Sequence, residues 1–468
     1  VIRMDLGEIA RVVGGELSEA DPSTRITRPF SADSRVVEPG GMFLADLAGH
    51  DFAADAMANG ATAVLSSRPL AGIPCVVGPP APGNEVDASV VALGVLAHHV
   101  VGRLPDLTVI AVTGSQGKTT TKDLMAKVFG DAGPTIAPAA SLNNELGAPI
   151  TALRADAETR YLVLEMGARK IGNLAYLTSL IRPHVSVVLN VGMGHVGFFG
   201  SKAGIAQAKG ELIEALDADG TAVLNADDPL VEAMAPRTKA AVASFGLAAD
   251  ADVRAEGVEL DDRGCAGFVL VTPEGKADVQ LGYVGAHYVT NALAAAASAR
   301  AVGLDVDAVA ASLTAAKPQA RWRMAVSDRA DGVRIVNDGY NANPDSMRAA
   351  LETLPTLAKE RRTWAVLGEM LELGAASTDE HAAVGRLAVR QGVSRLVVVG
   401  DGARAIYDAA LADGKESVFV PDADSAYELL RNELRPGDVV LVKSSRDAGL
   451  RYLGDRLVAD VPPVEGPA

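Results

Sequence analysis

A chain of 468 residues has room for about three domains of ordinary size. Its content of 49% hydrophobic and 22% charged residues is that of a folded protein and excludes a disordered tail, a collagen and a short disulfide scaffold. The 43 basic against 59 acidic side chains leave a formal charge of −16, which argues against a general nucleic-acid binder or a coat for anionic membranes. Any phosphate must be held by a local site acting against the global field.

The first stretch, residues 1–105, opens with a helical pattern in which Leu6, Ile9, Val12 and Val13 share a face. A turn-rich segment at 33–40 leads into an apolar run at 42–45, and residues 61–65 read as a buried strand. A Pro- and Gly-rich stretch at 78–84 reads as a linker. The longest apolar candidate for a membrane span, residues 90–102, is interrupted by His98 and His99, and residues 1–5 carry no signal-peptide core. Cys75 and Cys265 stand far apart, with no metal spacing, and read as small apolar fillers in a reducing compartment. The expectation is a cytoplasmic protein without membrane insertion and without nucleic acid.

From residue 106 continuous apolar runs alternate with helical patterns. The runs at 107–112, 161–164, 185–189 and 221–224 are those of parallel strands buried on both faces. Between them, residues 122–129 place Leu124, Met125, Val128 and Phe129 on one helical face. A boundary is expected near 317–318. Beyond it the alternation resumes at 334–336, 364–367, 396–399 and 439–442, and residues 462–468 read as a frayed tail. Such alternation predicts doubly wound α/β sheets.

The strongest chemical signal is Thr113-Gly114-Ser115-Gln116-Gly117-Lys118-Thr119-Thr120, directly after a predicted strand and opening a predicted helix. Glycines let backbone N–H groups turn onto phosphate oxygens, and the helix N-terminus adds its positive end. Lys118 can reach the β- and γ-phosphates, and Thr119 can ligate Mg²⁺. In a parallel sheet all strand C-termini share one edge, so Glu165 and His195, each following a strand, would converge on the loop. Alone, Glu165 reads rather as an exposed strand-end acid and His195 as a loop histidine. His98, His99 and His184 read as structural or surface residues.

The loop resembles the ATP loop of the Mur ligases, which build the peptide of bacterial cell-wall precursors. Segments similar to that family follow in family order: 190–195, 208–211, 225–228, 285–287 with Asn291, and Arg323-Met324 followed by 337–344. The resemblance runs from Asp33 to Arg446. It implies an α/β protein of three domains: 1–105 binding the UDP-sugar peptide, a P-loop ATPase domain at 106–318, and a Rossmann-like domain at 319–468 that binds the incoming amine and closes on ATP. Residues 141–149, 340–346 and 367–374 with His381 follow the pattern of the member that adds D-alanyl-D-alanine (D-Ala-D-Ala) to UDP-N-acetylmuramoyl-tripeptide (UDP-MurNAc-tripeptide), the last cytoplasmic step of precursor peptide assembly. Other readings are a different Mur-type or folylpolyglutamate-synthase-like ligase and, from another class, a nucleotide switch.

The resemblance also implies roles. Lys118 neutralises phosphate; Thr119 and Glu165 hold a first Mg²⁺; His195 and Lys209 hold a second, Lys209 as a carbamate, although by sequence alone it is a helix lysine. Asn291 contacts adenine, or else caps a helix. Arg323 reaches the ATP phosphates and Asp338 the ribose. Asp33, Ser34 and Arg35 serve the nucleotide sugar, Asn143 and Asn144 the substrate, and Tyr340, Asn341, Asn343 and Lys443 the amine and nucleotide side. A monomer is implied. Two departures stand out. The loop ending at 47–52 is shorter than the family's, and Ser444 stands where the family usually has Gly, so a left-handed backbone there would be strained.

Overall fold

The structure, a computed structural model, describes residues 2–46, 48–80 and 86–459. Leu47 of the shortened loop, most of the expected linker and the tail from 460 lie outside the described residues.

The helix Leu6–Val13 forms where the apolar face predicts it. Asp5 caps it by accepting the Glu8 N–H, Gly14 ends it at φ 66, and Leu6, Ile9, Ala10 and Val13 are buried. The first sheet runs in the order Glu16–Ser18, Cys75–Val77, Ala63–Ser66, Met42–Ala45, Phe30–Ser31. It is parallel except for Glu16–Ser18, which lies antiparallel to Cys75–Val77.

The second sheet positions the site. Thr108–Thr113 lies between Tyr161–Glu165 and Val185–Val188, with Thr135–Ile136 beyond the former and Thr221–Asn225 and Ala241–Gly246 beyond the latter, all parallel. The strand order therefore reverses at Thr108–Thr113, and a crevice opens at the C-terminal ends beside it. At the far edge Val253–Leu260, Cys265–Thr272 and Gly275–Val284 add an antiparallel meander that the alternation of strand and helix did not foretell. Its signal was period two: Val279, Leu281 and Tyr283 are buried with exposed neighbours between them.

The third sheet has the order Ala325–Asp328, Arg334–Asn337, Val439–Lys443, Thr363–Leu367, Arg395–Val399, Ser417–Val420, parallel except for its first strand. Its central strands, Val439–Lys443, Thr363–Leu367 and Arg395–Val399, are buried runs framed by helices, as the alternation implies.

The cores are not separated at the boundaries between sheets. The helix Ala88–Gly102 places Leu93 and Leu96 in one cluster with Met42 and Leu65 of the first sheet and Val109 and Leu162 of the second. On the other face, Val112 and Leu124 share a cluster with Leu367 of the third and Met347 of the helix Pro344–Ala358 beside it. No helix among the described residues is long and apolar enough to cross a membrane.

Leu93 is fully buried where two sheets meet. Leu93→Ala is expected to cost about 2–5 kcal/mol of unfolding free energy, measured by denaturant titration.

Candidate active site

The phosphate loop joins Thr108–Thr113 to the helix Lys118–Ala132. Gly117 caps that helix at φ 80, and a Cβ there would stand 2.6 Å from Asn291 Oδ1, so glycine is required twice over. Asn190, just past Val185–Val188, holds the crown of the loop. Its Oδ1 accepts the N–H of Ser115 at 2.9 Å and of Gln116 at 3.0 Å, and its Nδ2 donates to the Gln116 main-chain oxygen at 3.2 Å. The Gly192 N–H donates to Ser115 Oγ at 2.9 Å.

Glu165 pairs in register with Val112, which delivers its carboxylate to the loop. It is 1% exposed, which excludes the reading as a surface acid. Oε2 accepts from Thr119 Oγ1 at 2.9 Å; Oε1 accepts from Ser141 Oγ at 2.8 Å and Asn143 Nδ2 at 2.7 Å. On the other side of the loop strand, Val188 pairs with Thr113 and the chain continues to His195. His195 sits in the left-handed region, φ 65, with Nδ1 bonded to the Glu372 carboxylate. Burial and the Lys118 charge lower its pKa against the pull of Glu372.

Lys118 and Lys209 are among the lysines that face this space. Lys118 Nζ donates to the Gly114 main-chain oxygen at 2.8 Å, and desolvation at the bottom of the cleft lowers its pKa. Lys209, on the helix Lys202–Glu214, is 4% exposed and makes no hydrogen bond or ion pair among the described residues. Burial first, and the Lys118 charge second, hold its pKa well below the usual lysine range. It is not the solvated helix lysine that its sequence context suggests.

The third sheet closes the space. Arg323 Nη2 donates to Thr119 Oγ1 at 3.0 Å, and its guanidinium lies 4.4 Å over the Tyr340 ring. Asp338 accepts from Lys443 Nζ at 2.5 Å and from the Met324 N–H at 3.0 Å. His287, also on the cavity wall, has its pKa lowered to about 4 by burial. The helix Tyr288–Ala301 starts before Asn291, with His287 at the cap position, so Asn291 is not a cap; its carboxamide packs against Gly117.

A cavity of about 1110 Å³ brings together Ser115, Gln116, Gly117, Lys118, Thr119, Thr120, Asn143, Asn144, Glu165, His195, Lys209, Asn291, Arg323, Asp338, Tyr340, Asn341, Asn343 and Lys443. Thr113 and Gly114 do not line it. Asn144 Oδ1 accepts the Gly147 N–H at 3.0 Å, Asn341 Oδ1 the Ala342 N–H at 2.9 Å, and Asn343 forms a capping box with Ser346 on the helix Pro344–Ala358. Asp33, Ser34 and Arg35 do not line the cavity; only Ala32 of that segment does. Arg35 clasps Asp33 and holds its carboxyl at about 2, while the Ser34 main-chain oxygen accepts from Asn59 Nδ2 at 2.9 Å. Ser444 does not adopt a left-handed backbone; it packs against Gly368, where a Cβ would come within 2.9 Å of the Ser444 Cβ. Both cysteines are free and buried.

The oxygen donors Thr119 Oγ1 and Glu165 suit a hard cation such as Mg²⁺. Among the described residues no group of three or more His, Cys, Asp or Glu is assembled for a metal. A cation here would therefore also draw on phosphate oxygens and water. Sequence reasoning missed Asn190, Ser141, Asp345 and Glu372 as site residues. All lie in segments noticed for other reasons, and only the fold pairs them with their partners.

Fold and site together define a P-loop nucleotide-binding enzyme. More narrowly, the chain belongs to the Mur ligase family: the Mur ligase middle domain matches residues 112–299 and the Mur ligase glutamate ligase domain residues 322–446. It is 47% identical over 503 aligned residues to the UDP-N-acetylmuramoyl-tripeptide–D-alanyl-D-alanine ligase of Mycobacterium tuberculosis, covering 98% of each chain. The ligase of the same name from Escherichia coli K12 is 36% identical, covering 96% of this chain and 97% of its own. Among solved structures, MurF from Acinetobacter baumannii superposes with a TM-score of 0.86 at 31% identity, covering 98% of this chain and 99% of that one. MurF from Thermotoga maritima in complex with ADP gives 0.78 at 28% identity, over 93% and 98%.

Asn190→Ala removes three hydrogen bonds from the phosphate loop. The KM for ATP is expected to rise by about 150-fold, at about 1 kcal/mol for each lost bond, while the far-ultraviolet circular dichroism stays native.

Proposed function

We infer that the protein uses ATP to join D-alanyl-D-alanine to UDP-N-acetylmuramoyl-tripeptide in peptidoglycan precursor synthesis, acting as a monomer in the cytoplasm. The observation that carries this reading is one cavity faced by the phosphate loop, two desolvated lysines and an arginine from the third sheet, in a chain whose Mur-family relatives match it over nearly full length.

A free carboxylate is a poor acyl donor because its oxygen leaves badly. In the proposed reaction a carboxylate oxygen of the tripeptide attacks the γ-phosphorus of ATP and ADP departs, leaving an acyl phosphate. The D-alanyl-D-alanine amine then attacks the carbonyl carbon; the tetrahedral intermediate expels phosphate and the amine nitrogen loses its proton. Most of the catalysis is positioning and charge neutralisation.

Lys118, now bonded to the Gly114 oxygen, would turn to the β- and γ-phosphates. Arg323 would add a second cation from the opposite wall, released from Thr119. Thr119 and Glu165 would hold a first Mg²⁺, and His195 with a carbamylated Lys209 a second. When bound, these ions would neutralise phosphate and carboxylate oxygens as Lewis acids. Burial and the Lys118 charge hold the unpaired Lys209 well below the usual lysine range, which favours the neutral amine, the form that adds CO₂; the carbamate would also give that lysine the charge of a cation ligand. Asn291 would take the adenine edge and Asp338 the ribose. Asn143, Asn144, Tyr340, Asn341 and Asn343 would face the two peptide substrates. Asp33, Ser34 and Arg35 would meet the uridine diphosphate beyond Ala32. Residues 1–105, 106–318 and 319–468 would thus serve sugar nucleotide, ATP and amine in turn.

The reading is tested by the mass of the product. Amide formation should require ATP, UDP-MurNAc-tripeptide and D-Ala-D-Ala together; phosphate release with glutamate and a folate instead, or ATP hydrolysis without amide, would overturn it. Lys118→Ala should lower kcat by about 100- to 1,000-fold, as loss of one preorganised transition-state donor does. Lys209→Ala should lose ligation and regain part of it with added short carboxylic acids; full activity without rescue would refute the carbamate.

A further inference from the structure

The loop of residues 190–197 carries His195, and residues of the third sheet's unit grip it at three points. Asp345 Oδ2 accepts the Met193 N–H at 2.9 Å. The Glu372 main-chain oxygen accepts the Gly197 N–H at 3.0 Å. The Glu372 carboxylate meets His195 Nδ1, and its other oxygen lies 3.7 Å from the Arg169 guanidinium, so the carboxylate is held on both sides.

Two glycines make room for this grip. A Cβ on Gly192 would stand 2.2 Å from Asp345 Oδ2; one on Gly197 would stand 2.8 Å from the Glu372 oxygen and 2.9 Å from the Gly374 nitrogen. Neither glycine has a left-handed φ, so space and not backbone freedom is what they provide. His195 and Glu372 are themselves left-handed, at φ 65 and φ 64. Non-glycine residues rarely hold that conformation, and here two of them meet at one contact.

An imidazole binds a cation through one nitrogen lone pair, and the hydrogen bond on its other nitrogen sets tautomer and orientation. A carboxylate accepting at Nδ1 leaves the Nε2 lone pair free on a ring that lines the cavity. We propose that Glu372 is the positioning residue that makes His195 a cation ligand, so that the second Mg²⁺ position is complete only when residues 319–468 have closed on the loop of 190–197. This rests on the reading of His195 as a ligand given above.

The experiment counts Mn²⁺ bound to the full chain by electron paramagnetic resonance, with saturating adenylyl imidodiphosphate in place of ATP. In Glu372→Ala the weaker Mn²⁺ site should lose about 10- to 100-fold in affinity and the tighter site should not change, as for other supports of metal ligands. Glu372→Gln, whose amide oxygen can accept the same bond, should recover most of the loss. Gly197→Ala, which touches no ligand but blocks the docked turn, should reproduce Glu372→Ala, and it serves as the test should Glu372→Ala fail to fold. Wild-type binding at both sites in Glu372→Ala or Gly197→Ala overturns the proposal. His195→Ala separates the causes. If it weakens the site while Glu372→Ala does not, only the positioning role falls; if it too leaves both ions in place, the ligand reading of His195 falls first.

Discussion

The hydrogen bonds that the Asn190 carboxamide accepts from the Ser115 and Gln116 N–H groups are the joint on which the site turns. A phosphate loop is a strip of backbone with donors pointing inward, and without support it has no fixed shape. Asn190 supports it from the neighbouring strand. The segment that carries Asn190 is in turn tied down on both sides: Asn225 Nδ2 donates to the Leu189 oxygen at 2.7 Å, and Asp228 Oδ2 accepts the Val191 N–H at 2.7 Å. Asp345 and Glu372 reach the next residues of the same segment. The loop, the two flanking strand ends and the third sheet's unit are thus linked through one short stretch of chain.

Charge is arranged to make that space receptive. The chain as a whole is acidic at −16, yet Lys118, Lys209, Arg323 and Lys443 all face the cavity. They differ in how well they are already satisfied. Lys443 has Asp338 at 2.5 Å, Arg323 has Thr119 and the Tyr340 face, and Lys118 has one neutral carbonyl. Lys209 has no partner among the described residues. An unpaired cation in a desolvated place is costly, so it is neutralised or it awaits an anion. The gradient runs from Lys443, which Asp338 already neutralises, to Lys209, which no partner among the described residues does.

Sequence reasoning reached furthest where the signal was local. The phosphate loop, the buried parallel strands and the amphipathic first helix all follow from neighbours within a few residues. The meander at 253–284 was missed because its period-two pattern was passed over in favour of the α/β rhythm. Partners far apart in the chain were not legible: Asn190 and Gln116 are separated by 74 residues, Met193 and Asp345 by 152, His195 and Glu372 by 177. Burial was equally hidden, since Glu165 and Lys209 have the letters of surface residues and lie inside. The alternative reading of Asn291 as a cap falls away because His287 holds that position, and the cap made by Asn343 went unnoticed, because capping depends on where a helix begins and that boundary is set by packing.

The two kinds of contact that hold the third sheet's unit over the site have different physical consequences. Apolar burial around Met347 and Leu351 is non-directional and grows with area, so it favours approach without fixing register. The polar grip on residues 190–197 is directional, but it requires His195 and Glu372 to hold left-handed backbones that cost on the order of 1–3 kcal/mol each. That strain offsets much of what the new hydrogen bonds contribute. The net contribution of the polar grip is therefore smaller than its number of hydrogen bonds suggests. A grip of that kind suits a ligase that must admit large substrates and release its products: it sets the register of the His195 ring against Glu372 while adding little to the total hold of one unit on the other.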